Sequence, residues 1–129
     1  MLFRSGCAYR ELGDFKASLE AFEEARGYFK KLKEVINVAR CDQKIAHCLS
    51  ELGDGHAALT AAQKSLDVFV TAHDNTRETY SLYEVGKAQI VSGQEEEGLN
   101  TLDRVLEIDR KSTRLNSSHS QQSRMPSSA

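Results

Sequence analysis

The feature that most constrains this chain is a repeat with a period of 40 residues. The string ELGD occurs at 11–14 and again at 51–54, and VSGQ at 91–94 falls at the same spacing. Small residues recur in the same register: Gly6, Ala46 and Gly86. A turn repeated at a fixed period indicates stacked supersecondary units, each of which buries its apolar face against a neighbour.

Between the turns, the apolar residues follow the period of an α-helix. Phe15, Leu19 and Phe22 are spaced by four and then three residues, which places them on one helical face. Arg26 is a single polar step in this stripe before Phe29. The pattern therefore predicts amphipathic helices that pack against one another.

Three glycines and two aspartates mark the turns. Gly13, Gly53 and Gly93 lie where the stripes stop, as expected of residues that adopt the left-handed conformation at a helix end. Asp14 and Asp54 follow, and they are predicted to cap the next helix. Weaker breaks at 33–34 and 73–75 divide each block in two. The sequence predicts an all-α fold of six helices at about 1–12, 15–33, 35–52, 55–72, 75–92 and 95–109.

Net charge and cysteine content limit the cellular compartment and the classes of binding partner that are expected. Residues 1–108 hold 13 cations and 18 acids, a net charge of −5, so this domain is not expected to bind nucleic acid. The chain has three cysteines, no leader and no apolar run of spanning length, which predicts a cytoplasmic setting without membrane contact. Cys41 and Cys48 are too far apart on one helix for a disulfide and are expected to pack as small residues; a metal site at Cys48 and His47 is the alternative.

No catalytic motif is recognisable. Phosphate-binding loops, nucleophile elbows and His-Glu-x-x-His zinc sites are missing from the sequence. His47, His56 and His73 are scattered, without the serine or carboxylate partners of a catalytic triad. The acidic run at 95–97 suits the first turn of a helix, where negative charge meets the helix dipole. The sequence predicts a chain that is not an enzyme and has no cofactor or metal.

The last 21 residues differ in composition from everything before them. Residues 109–129 contain the only proline and many serines, which favours a disordered tail. The strings DRKSTRLNSSH and SRMPSSA can also be back-translated into the two constant segments of a short-read sequencing adapter, with an index-sized gap between them. We therefore expect 109–129 to be a non-native tail and the native chain to continue beyond about Ile108.

The first block, GCAYRELGDFKASLEAFEEA, resembles the tetratricopeptide repeat. The family's small, aromatic and turn positions are matched by Gly6, Ala8, Tyr9, Gly13, Asp14, Phe15, Leu19, Phe22 and Ala25. The later blocks depart at one aromatic position, where they have Gly55 and Glu95. The commonest unit of the family has about 34 residues, so this chain resembles the longer units of bacterial regulators and signalling scaffolds. A generic helical bundle would explain the apolar stripes but not three glycines in register.

The resemblance implies a right-handed α-α superhelix of three antiparallel helix pairs. The repeat domain would span 1–108, with repeats at about 1–40, 41–80 and 81–108. In this family the first helix of each pair lines a concave, partner-binding face. The matching positions here are Phe3, Cys7, Arg10, Arg40, Gln43, Lys44, His47, Ser50, Tyr80, Tyr83, Lys87 and Ile90. Aromatic and cationic side chains together suit an extended or helical peptide with some negative charge.

The implied function is a non-catalytic protein interaction module, a scaffold that is part of a longer protein. The alternative is a sensor or regulatory segment of a multidomain signalling or transcription regulator. A clamp for the carboxylate terminus of a chaperone is not expected, because its positions would hold Phe3, Cys7, Lys44, Tyr80 and Glu84. Glu84 would repel a carboxylate. A solenoid that stops near Ile108 would lack a capping helix, which favours self-association through the uncapped end.

Overall fold

The described residues form six consecutive helices. The structure is a computed structural model that describes the backbone of residues 2–11 and 13–128 and the side chains of 3–9 and 13–112. The helices are α1 (Leu2–Glu11), α2 (Phe15–Lys31), α3 (Val35–Glu51), α4 (Gly55–Thr71), α5 (Asn75–Val91) and α6 (Glu95–Ser128). The described residues contain no strand, so the all-α prediction is confirmed. The bounds of the first five helices agree with the prediction to within two residues.

The turns repeat every 20 residues, which is half the period that the sequence displays. Gly13, Gly53 and Gly93 have φ values of 81°, 89° and 96°. Lys33 and His73, which stand midway between them, have φ values of 59° and 57°. At each turn the amide of the next residue donates to a carbonyl five residues earlier, as Asp54 N does to Leu49 O at 2.9 Å. All five turns therefore end a helix through a left-handed residue, although only three of them use glycine.

Aspartates cap the N-termini of three of the helices. Asp14 accepts a hydrogen bond from the Ala17 amide at 3.1 Å, and Asp54 accepts one from Ala57 at 3.2 Å, which confirms both predicted caps. Asp74 caps α5 in the same way and also binds the guanidinium of Arg77 at 2.8 Å. The Arg77 side-chain and backbone hydrogen bonds lower the pKa of the Asp74 carboxyl.

Small residues allow the two helices of each pair to approach closely. A Cβ on Gly6 would lie 2.8 Å from the ring of Phe22, and one on Gly86 would lie 2.8 Å from Leu102. In the second pair, the same positions hold a buried Ala46 and Ala62. The in-register small residues of the sequence therefore face the in-register large ones across each pair.

Successive pairs then stack on one another. Each helix packs against the next along the chain, and α3 also contacts α5. A buried cluster that includes Phe22, Ala25, Cys41, Ile45 and Val85 connects the three pairs. This arrangement is consistent with the predicted all-α repeat superhelix.

The sixth helix differs from the prediction. Ordered structure was expected to end near residue 109, whereas α6 continues to Ser128. No glycine follows Gly98, and the only proline is Pro126, so no strong helix breaker interrupts the helix before its last turn. Residues 106–112 are exposed, so their helical backbone depends on local propensity rather than on burial. The non-native origin of 109–129 stays a prediction.

The apolar residues near the end of the solenoid differ from one another in exposure. Val105 is buried, whereas Leu106 and Ile108 are 57% and 37% exposed. Among the described residues, no helix combines the length and the apolar character that crossing a membrane requires.

Candidate partner-binding surface

Three cations lie over three aromatic rings along the first helices of the pairs. The Arg40 guanidinium carbon is 4.8 Å from the centre of the Phe3 ring. Lys44 Nζ is 4.6 Å from the ring centre of Tyr80, and Lys87 Nζ is 5.1 Å from that of Tyr83. We call this set the cation–aromatic row, and it comprises Phe3, Arg40, Lys44, Tyr80, Tyr83 and Lys87.

The repeat explains why these residues meet. Each member lies on α1, α3 or α5, and these helices occupy equivalent places in the three pairs. Arg40 reaches back from α3 to α1, whereas Lys44 reaches forward from α3 to α5. The rings of Tyr80 and Tyr83 meet edge to face, with centroids 6.4 Å apart. The row therefore crosses all three pairs rather than belonging to one of them.

The row is accessible to a partner chiefly at its α5 end. Tyr80 and Tyr83 are 38% and 41% exposed, and Arg40 and Lys44 are half-buried. A cation held over a ring is attracted by the negative face of the aromatic system and keeps its remaining donors for other acceptors. Tyrosine and arginine are among the residue types that most often dominate the binding energy of protein interfaces.

A polar cluster fixes the position of Lys87. Lys87 Nζ is 2.8 Å from His47 Nδ1, 3.4 Å from Glu84 Oε1 and 3.9 Å from Glu51 Oε1. His47 Nδ1 is also 3.6 Å from Glu84 Oε1, so this nitrogen either accepts from Lys87 or donates to Glu84. The shorter distance favours acceptance from Lys87, which places the imidazole proton on Nε2.

Glu84 is a buried acid at the centre of this cluster. Its side chain is fully buried; Oε1 faces Lys87 and His47, whereas Oε2 has no hydrogen-bond partner. A buried carboxylate requires a nearby cation, and Lys87 supplies it. The sequence drew attention to Glu84 only as a residue that would repel a carboxylate ligand, and it did not predict this structural role.

Two residues predicted for the binding face are inaccessible. Gln43 is 4% exposed, and its amide donates to the Arg77 carbonyl at 3.0 Å and to Ser81 Oγ at 2.9 Å. Ser50 is 8% exposed, and its hydroxyl has no hydrogen-bond partner. Both lie on the side of α3 that is covered by packing, so neither side chain is exposed to a partner in this structure, and their predicted place on the binding face stays a prediction.

The other predicted residues have mixed environments. Cys7 and His47 are half-buried, and the His47 ring packs edge to face against Phe15, with centroids 5.8 Å apart. Ile90 is half-buried and points toward Gly98 of α6, where an added Cβ would lie 2.5 Å from its Cγ1. The side chain of Arg10 lies outside the described residues.

A second ion pair explains the polar step in the apolar stripe of α2. Arg26 Nε donates to Asp42 Oδ1 at 2.6 Å, and the exposed fractions of the two side chains are 28% and 8%. Burial raises the pKa of Asp42, and the hydrogen bond from Arg26 opposes that rise. Arg26 therefore interrupts the apolar pattern because it compensates a buried acid on the neighbouring helix.

The cysteines pack as small residues. Cys41 and Cys48 are buried, and the Cys48 thiol is 3.4 Å from Ser18 Oγ. Burial raises the pKa of the Cys41 thiol to about 11, which leaves it protonated at neutral pH. In the part of the chain that the structure describes, no three His, Cys, Asp or Glu side chains are grouped as a metal site would require.

Comparison with known proteins gives one match. Residues 1–26 match a family model described as a tetratricopeptide repeat. No curated protein and no solved structure matches the chain. The matched residues contain α1 and the first two thirds of α2, where the sequence resemblance was closest. The match supports the assignment to this family.

Proposed function

We propose that this chain, which the match at residues 1–26 assigns to the tetratricopeptide repeat family, binds an acidic extended or helical peptide along its cation–aromatic row. Repeats of this family are in general non-catalytic scaffolds for protein interaction, and that coarser role follows from the assignment. The finer proposal is supported by one observation, the three cation–ring pairs that cross α1, α3 and α5.

The charge of the rest of the domain sharpens this proposal. Residues 1–108 carry a net charge of −5, so an acidic peptide is repelled by most of the surface. The row holds Arg40 and Lys44 beside aromatic rings that supply apolar area, whereas Lys87 already compensates Glu84. A partner with acidic and apolar side chains in alternation would use both, whereas a purely acidic one would gain only the weaker, salt-screened part.

The test uses peptide display followed by measured affinities. A library of random peptides is selected against the full chain, and the enriched peptides are titrated by fluorescence anisotropy at low and high salt. We expect enrichment of acidic residues beside aromatic or aliphatic ones. We also expect Lys44→Glu to weaken binding by roughly tenfold or more, since it replaces an attraction with a repulsion.

The matched control is Lys16→Glu, which makes the same change of net charge at an exposed position of α2. We expect its affinity for the same peptides to stay within about twofold of that of the parent chain, because exposed charges outside an interface act weakly. Equal losses in the Lys44 and Lys16 variants would show that net charge alone governs binding, and the row would then have no role.

A further inference from the structure

The cluster of His47, Glu84 and Lys87 joins the second helix pair to the third, and it has two ways to use the imidazole nitrogen at its centre. His47 Nδ1 is 2.8 Å from Lys87 Nζ and 3.6 Å from Glu84 Oε1. We propose that protonation of His47 exchanges these contacts. The imidazolium then donates from Nδ1 to Glu84, and Lys87 is released toward Glu51 at the surface. The cluster is a pH-sensitive switch that determines whether Lys87 is held in the interface or is available to the cation–aromatic row.

The two contacts of His47 Nδ1 exclude each other. A lysine ammonium has only donors, so Nδ1 accepts from Lys87 only while this nitrogen carries no proton. Once protonated, Nδ1 is a donor, and the two cations repel each other at 2.8 Å. Glu84 Oε1 is the acceptor within reach, since shortening the present 3.6 Å by about 0.8 Å gives a charge-assisted hydrogen bond.

The charges around His47 favour the second arrangement once a proton is available. Among the described residues, the ion pairs within 4 Å that involve His47 or Lys87 are those with Glu84 and Glu51. From α2, the uncharged ring of Phe15 packs against the imidazole. Two acids therefore face one permanent cation, and a protonated imidazole makes the cluster neutral. Glu84 also lacks donors, because it is fully buried and its Oε2 has no hydrogen-bond partner.

The neighbouring interface indicates that the fold does not require this buried acid. In the 40-residue register, the three residues of the cluster correspond to Cys7, Lys44 and His47 at the interface between α1 and α3. The titratable group on the α1 side is the Cys7 thiol, and Lys44 is half-buried with its Nζ 4.6 Å from the centre of an aromatic ring of α5. The repeat therefore accepts a cation where the second interface buries Glu84. Burying an acid is costly, and the exchange gives that acid a role as the acceptor of the protonated state.

Lys87 carries the effect of the exchange to the surface. Its Nζ lies 5.1 Å from the ring centre of Tyr83 and 3.9 Å from Glu51 Oε1, and both of these neighbours are exposed. When His47 takes over the compensation of Glu84, the ammonium keeps its surface neighbours and gains free donors. Lower pH then adds a third available cation to the row and strengthens its attraction for acidic groups. This last consequence rests on the proposed function, whereas the exchange itself does not.

The test is an NMR titration of the full chain from about pH 8 to about pH 5, the range in which imidazoles usually become charged. At the upper end, the nitrogen shifts of the His47 ring should show a proton on Nε2 alone, and at the lower end on both nitrogens. The Lys87 Hε and Tyr83 ring signals should move with the same midpoint as His47. His56 and His73, which are exposed, supply the reference for imidazoles outside the cluster.

Variants of the chain separate the exchange from a general effect of pH. His47→Gln offers Lys87 an acceptor that does not titrate, so the Lys87 and Tyr83 signals should stop moving in this range. Glu51→Gln, at an exposed position, removes the surface acceptor and should reduce the movement of the Lys87 signal. The matched control is Glu24→Gln on α2, which makes the same change of charge at another exposed position and should leave the movement unchanged.

Three results would overturn the exchange. The His47 ring could carry its proton on Nδ1 at about pH 8, it could become charged while the Lys87 and Tyr83 signals stay fixed, or these signals could move equally in His47→Gln.

The peptides selected against the row test the coupling separately. Between about pH 7.5 and about pH 5.5, their affinity for the parent chain should rise roughly threefold more than their affinity for His47→Gln. Equal changes would refute the coupling to the row. A chain that shows the exchange by NMR but binds no acidic peptide would support the switch and refute the proposed function alone.

Discussion

The Arg26–Asp42 ion pair allows a quantitative test of how this repeat handles buried charge. In the next repeat, the equivalent positions hold Leu66 and Leu82, so the same backbone accepts an apolar pair there. The single variants Arg26→Leu and Asp42→Leu each leave one charge without its partner. The double variant reproduces the apolar solution of the neighbouring repeat.

The exposed fractions set the expected magnitudes. Asp42 is 8% exposed, so Arg26→Leu leaves a buried carboxylate uncompensated and should cost about 3 kcal/mol of unfolding free energy. Arg26 is 28% exposed and can reach water, so Asp42→Leu should cost less, about 1–2 kcal/mol. The double variant should lie within about 1 kcal/mol of the parent or above it, because two desolvation penalties disappear together.

The pH dependence of stability provides an independent check on whether the buried Asp42 carboxylate is destabilising without its partner. Burial raises the folded-state pKa of Asp42, so the folded chain holds this proton more tightly than the unfolded chain does. The contribution of Asp42 to the unfolding free energy therefore falls as the pH rises from the unfolded-state pKa of this carboxyl through its higher folded-state pKa. Arg26→Leu removes the opposing hydrogen bond, and its deficit should shrink as the pH is lowered from neutral toward the range where carboxyls titrate. The double variant should lack this recovery.

The assay is urea unfolding followed by far-ultraviolet circular dichroism, since the chain contains no tryptophan. A double-mutant cycle across the four chains yields the coupling free energy directly. If the two single losses simply add in the double variant, the pair is not coupled, and the argument that Arg26 exists to compensate Asp42 is wrong.

Three further predictions concern the backbone and the thiols. Lys33→Gly should raise the unfolding free energy by about 0.5–1 kcal/mol, because a left-handed φ is costly for a residue with a side chain. Gly53→Ala should lower the unfolding free energy by about 1 kcal/mol or more for the same reason, and urea unfolding of both variants measures the two changes. Gly86→Ala should cost about 1–3 kcal/mol through its clash with a leucine of α6, whereas the open Gly27→Ala should be neutral or stabilising in the same melts. Cys41 should resist a maleimide reagent at neutral pH until the chain is unfolded, and mass spectrometry of tryptic peptides would detect early labelling.

The fold was predictable because its determinants are periodic. Glycines at one end of each pair and small residues at helix crossings recur every 40 residues, and both signals can be read from composition and spacing. The 20-residue recurrence of the turns was only weakly visible, because Lys33 and His73 carry no sign of their left-handed backbone. Local hydrogen bonds and the packing of the flanking helices impose that conformation.

The candidate site was predictable in its residue types but not in its pairings. The sequence placed aromatics and cations on the first helices, yet it could not show that Arg40 reaches back to α1 while Lys44 reaches forward to α5. It also placed Gln43 on the binding face, but it could not show that the Gln43 amide donates to Ser81 Oγ in the interface with α5. Which neighbouring helix a residue faces depends on the angle at which successive pairs stack. The periodicity of the sequence does not determine that angle.

The two interfaces between successive helix pairs lie at equivalent places in the repeat but differ in chemistry, and that difference determines which helix each accepts. Moving α5 onto the first pair would place the Ser81 hydroxyl against Phe3 and Ala25, where no donor replaces the Gln43 amide. Moving α3 onto the second pair would leave the buried Gln43 amide opposite a thiol, a weak acceptor. Each exchange costs a hydrogen bond in a water-excluded place, so the polar contact fixes the order of repeats that are otherwise similar.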